Sequence, residues 1–391
     1  MTRPLAIIFL TILVNLIGFG IIIPLLSFYA ETFGASPFVV GLLFAVFSLC
    51  QLAAAPALGD LSDRYGRRPV LIFSLLGTVV SFVMLAVAHS VVMLFAARIV
   101  DGLSGGNIST ARAYVADVTE PKDRARAYGL IGAAFGLGFI LGPALSGVLA
   151  GVSYTAPIWA AAALTLVATL MAWLWLPETV HRARAGAGNP FSYLPELLRR
   201  SQVRRVLAID FVYWFAFAMF QTTFALFCAA RFGFDAARTG YFFAAFGLLG
   251  AVIQGGFIRP VVARLGDKPV FRLGLGFGAA GLLGAAAAHS VALFTIALVP
   301  LAFGIGFGHP TVSSLVSRVA RGDEQGRVQG AASAVESLGR TIGPVWGSAS
   351  LQQYGESSPY LSAAAFLMVT LVLSVGLQVG EAESVSSIGK L

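Results

Sequence analysis

The segment GDLSDRYGRRP, Gly59 to Pro69, carries five charged residues between Asp60 and Arg68, in a chain of 391 residues of which 11% are charged. Its flanks explain the contrast. The chain is 58% hydrophobic, where a soluble domain is roughly half apolar and about a quarter charged, so the excess places it in a membrane. Outward from this loop, twelve apolar stretches run at approximately 5–30, 38–59, 70–88, 91–116, 127–150, 155–176, 204–230, 239–258, 270–288, 291–317, 328–350 and 360–379. Each is long enough to cross about 30 Å of hydrocarbon as a helix, and only short polar connectors lie between them. The expectation is an all-α membrane protein of twelve transmembrane helices with no sizeable soluble domain.

The first stretch exceeds the apolar core of a secretory leader and no small-residue cleavage site closes it, so it is expected to be retained, with the mature chain starting near Met1. The net charge of +8 sits in the connectors, which argues against a nucleic-acid partner. Cys50 and Cys228 fall inside spans and are expected to be free thiols. Arg3, the Arg64/Arg67/Arg68 group, Lys122/Arg124/Arg126, the run from His181 to Arg205, Arg259/Arg264/Lys268/Arg272 and Arg318/Arg321/Arg327 occupy alternate connectors, with Arg231 and Arg238 as exceptions on the other side. By the positive-inside rule the basic connectors and both termini face the cytoplasm of an inner or plasma membrane.

The opening segment has an echo. DRYGRRPVL at Asp63–Leu71 matches ARLGDKPVF at Ala263–Phe271, AHSV at Ala88–Val91 recurs at Ala288–Val291, and Gly142-Pro143 recurs one register later as Gly343-Pro344. An offset near 200 residues spans six helices, so two pseudo-symmetric six-helix bundles in one orientation are expected, residues 1–177 and 204–391, joined by a cytoplasmic linker, 178–203. Parallel repeats of this kind belong to transporters that rock about a site between the halves.

With these residues in view, the loop resembles the signature of the major facilitator superfamily between helices 2 and 3, through Gly59, Leu61, Asp63, Arg64, Gly66, Arg67 and Arg68. RIVDGLSGG from Arg98 is similar to the helix 4 signature, and GLGFILGPALSG, Gly136–Gly147, is similar to the glycine-proline helix 5 signature of the drug and proton antiporters, here Gly138, Gly142, Pro143 and Gly147. The resemblance covers the whole chain and is nearest to tetracycline efflux proteins and related multidrug antiporters. It implies the major facilitator fold, a monomer, and a cytoplasmic gate in which Asp63, Arg64, Arg67 and Arg68 pair with one another and with Asp117. Gly132, Gly136, Gly142 and Gly147 would let helices approach closely, and Pro143 invites a bend. Two departures stand out: the tetracycline exporters have acidic residues where this chain has Asn15 in helix 1 and Ser81 in helix 3.

Ionisable residues within spans are functional candidates by default. Arg98, Asp101, Gly105, Ser109 and Arg112 recur at helical spacing along one face of helix 4, with Arg98 and Asp101 placed to pair. Gln329, Ser333, Glu336, Arg340 and Gly347 share a face of helix 11, and Glu336 sits roughly 16 Å from the cytoplasmic surface at 1.5 Å per residue. Glu336 is the first candidate proton carrier and Asp101 the second; the alternative is that both belong to structural ion pairs. Arg112 either faces substrate or reaches the surface to meet Glu120. Helix 7 offers an aromatic stretch from Tyr213 to Phe224 that includes Trp214, Phe217 and Gln221. Asn15, Gln51, Gln254 and His309 complete the candidate cavity residues, with Arg98, Arg112 and Arg340 as its cations.

GFGAAG at Gly276–Gly281 has no preceding strand and is read as helix packing, not a dinucleotide loop. No phosphate-cradling Gly-x4-Gly-Lys motif and no metal-spaced Cys or His cluster is present, so neither cofactor, metal nor enzymatic activity is expected. The favoured expectation is proton-coupled efflux of small amphiphiles. Facilitated exchange or symport of an organic anion is the rival, and a non-transporting sensor the outsider.

Overall fold

A computed structural model of the chain describes residues 3–105, 107–120, 123–179, 190–320 and 324–377. Among them there is no strand. The helices are α1 (Arg3–Glu31), α2 (Pro37–Tyr65), α3 (Arg67–Ala86), α4 (Val91–Leu103), α5 (Asn107–Val118), α6 (Arg124–Ala150), α7 (Ala156–Trp175), α8 (Pro190–Arg199), α9 (Ser201–Phe232), α10 (Ala236–Val252), α11 (Ile258–Leu265), α12 (Asp267–Ala287), α13 (Val291–Val319), α14 (Gln325–Tyr354) and α15 (Ser358–Ser374).

In their described residues all twelve expected segments form helix, and two of the three echoes in the sequence supply residues that begin and end them, while Gly142-Pro143 and Gly343-Pro344 lie inside α6 and α14. Ser90 and Ser290, each the serine of an AHSV repeat, accept the amide hydrogen of Met93 and Leu293 and so cap α4 and α13. Gly66 and Gly266 turn the chain between α2 and α3 and between α11 and α12 with φ of +108° and +81°, a conformation that costs other residues a strained Cβ.

Three details differ from expectation. The fourth segment is two helices, α4 and α5, interrupted at Ser104-Gly105, where small residues surrender the ladder at little cost. The eighth carries a π turn over Ile253–Phe257 between α10 and α11. The linker contains the amphipathic helix α8, whose Leu194 and Leu197 pack on the core beside α9; residues 180–189 of the expected linker lie outside the described residues. Among the described residues, nine helical stretches are long and apolar enough by themselves to cross a membrane. The break shortens α4 and α5, α14 carries its polar stripe, and α15 has only 17 residues.

Helices α1 to α7 pack among themselves, with α1 against α6 and α7 and α3 against α4 and α7. The later helices do likewise, α9 against α14 and α15 and α12 against α13 and α15. The two sets meet where α2 crosses α14 and α6 crosses α10, with α1 also lying against α9 and α10; the contacts run from the end remote from the Asp63–Arg67 loop to mid-helix, where a Cβ at Gly247 would lie 2.6 Å from the Phe139 carbonyl oxygen. A Cβ at Gly240 would lie 2.7 Å from the Gly147 Cα, and one at Gly41 would lie 2.6 Å from the Pro344 carbonyl oxygen, so backbones touch there. One hydrogen bond joins the sets among the described residues, Phe38 N to Gln352 Oε1 at 3.0 Å. At the loop end the sets stand apart: Tyr65 is 71% exposed and α11 has no buried residue.

Candidate functional site

At the loop end, Arg67 is the hub. Its guanidinium lies 2.6 Å from Asp63 Oδ1 and 3.1 Å from Asp117 Oδ2 and donates to the Ser62 hydroxyl at 2.9 Å. Glu178, just past α7, accepts the backbone amides of Arg67 at 3.0 Å and Arg68 at 3.2 Å, placing a carboxylate on the N-terminus of α3. A Cβ at Gly66 would meet that carboxylate at 2.3 Å. The structure brings Asp63, Arg67 and Asp117 together. It does not bring in Arg64, which points to solvent and pairs with Asp60 at 2.9 Å because one helical turn separates them on the outer face of α2. Arg68 donates to the Trp173 carbonyl, and Gly59 has open space around it.

Sequence reasoning passed over Glu178, and also the matching contact in the second set. There Arg318 Nη2 lies 2.6 Å from Asp267 Oδ2, which also accepts from the Ser314 hydroxyl at 3.0 Å. Arg231, an exception to the charge pattern, is occupied at the far end: it meets Glu356 at 3.1 Å, the Ser357 hydroxyl at 2.9 Å and the Ala286 carbonyl at 3.1 Å.

The intramembrane charges form two groups. In the first set, Arg98, 1% exposed, pairs with Asp101 at 3.1 Å, and its guanidinium lies 4.3 Å from the centre of the Phe47 ring. The helix break follows directly. Gln51 Nε2 donates to the Gly105 carbonyl at 3.3 Å, satisfying an acceptor that a continuous helix would have used. Side chains at Asn107 to Ser109 lie outside the described residues, so the place of Ser109 in the stripe is not defined.

The second group is built on α9, α13 and α14 of the second set, with one charge from the first. Arg340 on α14 donates to the Ser337 hydroxyl at 3.2 Å and stands 5.2 Å above the Trp214 ring of α9. His309 of α13 meets Trp214 edge to face with ring centres 5.1 Å apart, and Phe217 does so at 5.6 Å. Glu336 is in electrostatic contact with Arg340 and Arg112, and His309 with both arginines. Glu336 and Arg340 are not in direct ion-pair contact: the Arg340 guanidinium is spent on Ser337 and Trp214. Among the described residues Arg112, exposed on α5, is not ion-paired with Glu120; its charge acts on Glu336, Arg340 and His309 of the other set.

A further carboxyl belongs to this group. Asp210 on α9 is 1% exposed and in electrostatic contact with Glu336 and Arg340. A signal was present: Asp210, Trp214, Phe217 and Gln221 recur at helical spacing, so the aromatic face of α9 starts with an acid. Asn15 and Gln254 join neither group; Gln254 is exposed at the π turn, and the Gln221 amide nitrogen is buried without a partner. In the helix 5 motif, Gly138 and Gly142 abut Leu16 and Gly20 of α1, while Gly147 abuts Ala237 and Tyr241 of α10. Gly132 and Gly136 face open space rather than another helix. Both cysteines are free thiols. Among the described residues no three Cys, His, Asp or Glu side chains converge as a metal site would require.

A family model of the Major Facilitator Superfamily matches residues 8–344 and 255–387. The chain is 33% identical over 343 residues to the class C tetracycline resistance protein of Escherichia coli, covering 86% of each chain. It is 30% identical over 374 residues to multidrug resistance protein 2 of Bacillus subtilis, covering 93% of this chain and 92% of that one. The crystal structure of the human organic anion transporter MFSD10 superposes with a TM-score of 0.74 at 25% identity, over 95% of this chain and 99% of the other.

Proposed function

The chain belongs to the Major Facilitator Superfamily of multi-pass membrane transporters, and from that premise we propose that it exports small amphiphilic molecules in exchange for protons. Two bundles, residues 1–177 and 204–391, rock about the site that Arg112, Glu336, Arg340 and His309 form between them. The observation that carries this reading is the facing of Arg112 from one set against Glu336 and Arg340 of the other, in a chain whose sets meet through the far-end half of their helices. Charges within a membrane span are costly unless used, and a site between two movable walls is where use requires them.

In this reading Glu336 carries the proton and Asp101, locked to Arg98, is the alternate. Trp214, Phe217 and His309 give the substrate an aromatic wall, which suits varied drug-like shapes because rings contribute area with little directionality. The loop end faces the cytoplasm of the inner membrane, as do both termini, and the conformation is open to that side. Arg67 with Asp63 and Asp117 then holds α2, α3 and α5 as one rigid edge, and Leu61 and Tyr65, exposed beside it, are covered when the bundles close. A monomer suffices.

The test is reconstitution in liposomes with an internal pH-sensitive dye, an imposed proton gradient, and a screen of anionic, zwitterionic and cationic amphiphiles, comparing the parent with Glu336→Gln. Substrate-evoked proton flux that disappears in the variant while substrate exchange persists is expected. Substrate movement indifferent to both gradient and substitution would sink the antiport reading.

Exchange or symport of an organic anion is the second reading. It is favoured by Arg112, a guanidinium exposed to the gap without a hydrogen-bonded partner among the described residues, and by the likeness to a human transporter described as carrying organic anions.

A further inference from the structure

We propose that Asp210 is the second carboxyl of the transport site, that it shares one exchangeable proton with Glu336, and that Arg112 takes the place of that proton in the conformation seen here. The proposal rests on the transport reading above and supplies the coupling that reading lacks.

Asp210 brings a charge to a dry place. Asp210 is 1% exposed and its Oδ2 has no hydrogen-bond partner. Water is kept from it by contact between α9 and α14: a Cβ at Gly339 would lie 2.9 Å from the Phe215 amide nitrogen and 3.0 Å from the Phe211 carbonyl oxygen. The groups facing Asp210 are Glu336 and Arg340 of α14 and Tyr213 on its own helix. Beyond them, Arg112 of α5 faces Glu336 and Arg340, and His309 of α13 faces both arginines. α15 brings no charge, and Glu196 of α8 is exposed.

The second set of helices therefore brings two carboxyls and one guanidinium to this point, with His309 counted as a neutral ring between two cations. With both carboxyls ionised that sum is one negative charge, which a low-dielectric interior does not tolerate uncompensated. Two neutral solutions exist: a proton on the carboxyl pair, or a cation from outside the set. Arg112 is that cation, and it stands on the other set. Rocking the sets changes its distance from the pair while leaving Asp210, Glu336 and Arg340 fixed relative to one another, because α9 and α14 are packed backbone to backbone.

Conformation and protonation are thereby linked. With the loop end open, Arg112 neutralises the pair and the proton leaves; with the far end open, Arg112 withdraws and one proton binds. If the loop end is cytoplasmic, each cycle brings one proton in, the direction that export by exchange requires.

The measurement is infrared spectroscopy of the full chain in lipid nanodiscs, reading the carbonyl stretch of buried protonated carboxyls. The protein carries Cys50→Ala and Cys228→Ala and is locked in the present conformation by a disulfide between Phe38→Cys and Gln352→Cys, the positions bonded across the far end. The locked parent is expected to lack the band at neutral pH. The locked Arg112→Gln protein, altered only at an exposed side chain, is expected to gain one carboxyl's worth of band, removed again by adding Asp210→Asn or Glu336→Gln. Aspartate labelled with carbon-13 shifts an Asp210 contribution without any substitution, which covers a failure of Asp210→Asn to fold. A band already present in the locked parent, no band in Arg112→Gln, or a band unaffected by the Asp210 and Glu336 variants overturns the proposal. No substrate enters the measurement, so these outcomes are separate from a failure of the transport reading.

Discussion

Arg318 holds Asp267 at 2.6 Å, and the contact is the Arg67–Asp117 pair at 3.1 Å with its charges exchanged. Asp267 occupies the place of Arg67 in the repeated segment, directly after the turning glycine and at the start of a helix. A helix N-terminus favours a negative neighbour. Asp267 supplies it from within α12, whereas α3 begins with two arginines and takes the carboxylate from Glu178 instead. One geometric solution thus appears twice, with the acid in cis in one set and in trans in the other.

This inversion makes the charge swap a test. Asp117→Asn leaves a largely buried guanidinium short of one partner and is expected to cost about 1–3 kcal/mol. Arg67→Asp combined with Asp117→Arg should fail to restore stability, since the new acid faces Asp63 and Glu178. Adding Asp63→Asn and Glu178→Gln should recover most of it, because the site then resembles that of Asp267 and Arg318. Thermal unfolding in detergent reads the series; full recovery by the simple swap would contradict the role given to Glu178.

Gly66 and Gly266 form a matched pair with positive φ at both and a neighbour at only one. Alanine at either is expected to cost about 1–3 kcal/mol in backbone strain. Gly66→Ala should cost measurably more, because its methyl displaces Glu178 from the α3 N-terminus. Equal shifts in Tm would show that the Glu178 contact contributes nothing.

The far-end seal is tested at Gly240. Gly240→Val forces a side chain into the backbone of α6 and is expected to lower transport about tenfold while leaving the protein folded, since close approach through small residues is what holds these helices together. Labelling of a Phe38→Cys reporter by an impermeant maleimide added from the far side should rise in parallel. Unchanged labelling would mean the seal does not depend on this crossing.

Arg340→Lys keeps the charge and removes the planar group that lies over Trp214. It is expected to raise the KM of a transported probe about three- to tenfold, roughly 1 kcal/mol, with protein level unaffected. A KM equal to that of the parent would assign Arg340 a purely Coulombic part.

Much of the architecture was readable in advance because lipid imposes strict terms. A segment must be apolar over about 20 residues and must satisfy its own backbone, so all twelve segments could be marked, and Arg98 with Asp101 followed from a spacing of three on one helix. Several features escaped, a helix break and a buried acid among them. The break at Ser104-Gly105 lay in a run as apolar as its surroundings, and what stabilises it, Gln51, comes from another helix. Asp210 stood near the start of its span and could be taken for an interfacial charge, until Gly339 brought α14 against it.

The sequence alone determined the family, the apolar segments and the repeat, because those depend on local hydropathy and on motifs a few residues long. Only the tertiary structure decided which charges meet. Arg67 chose Asp117 and left Arg64 to Asp60, Arg340 chose Trp214, and Asp210 came to lie beside Glu336. Each of these choices depends on distance between helices far apart in the chain, and in a low-dielectric interior a few ångströms decide whether a charge is paired, shared or left to be neutralised by a proton.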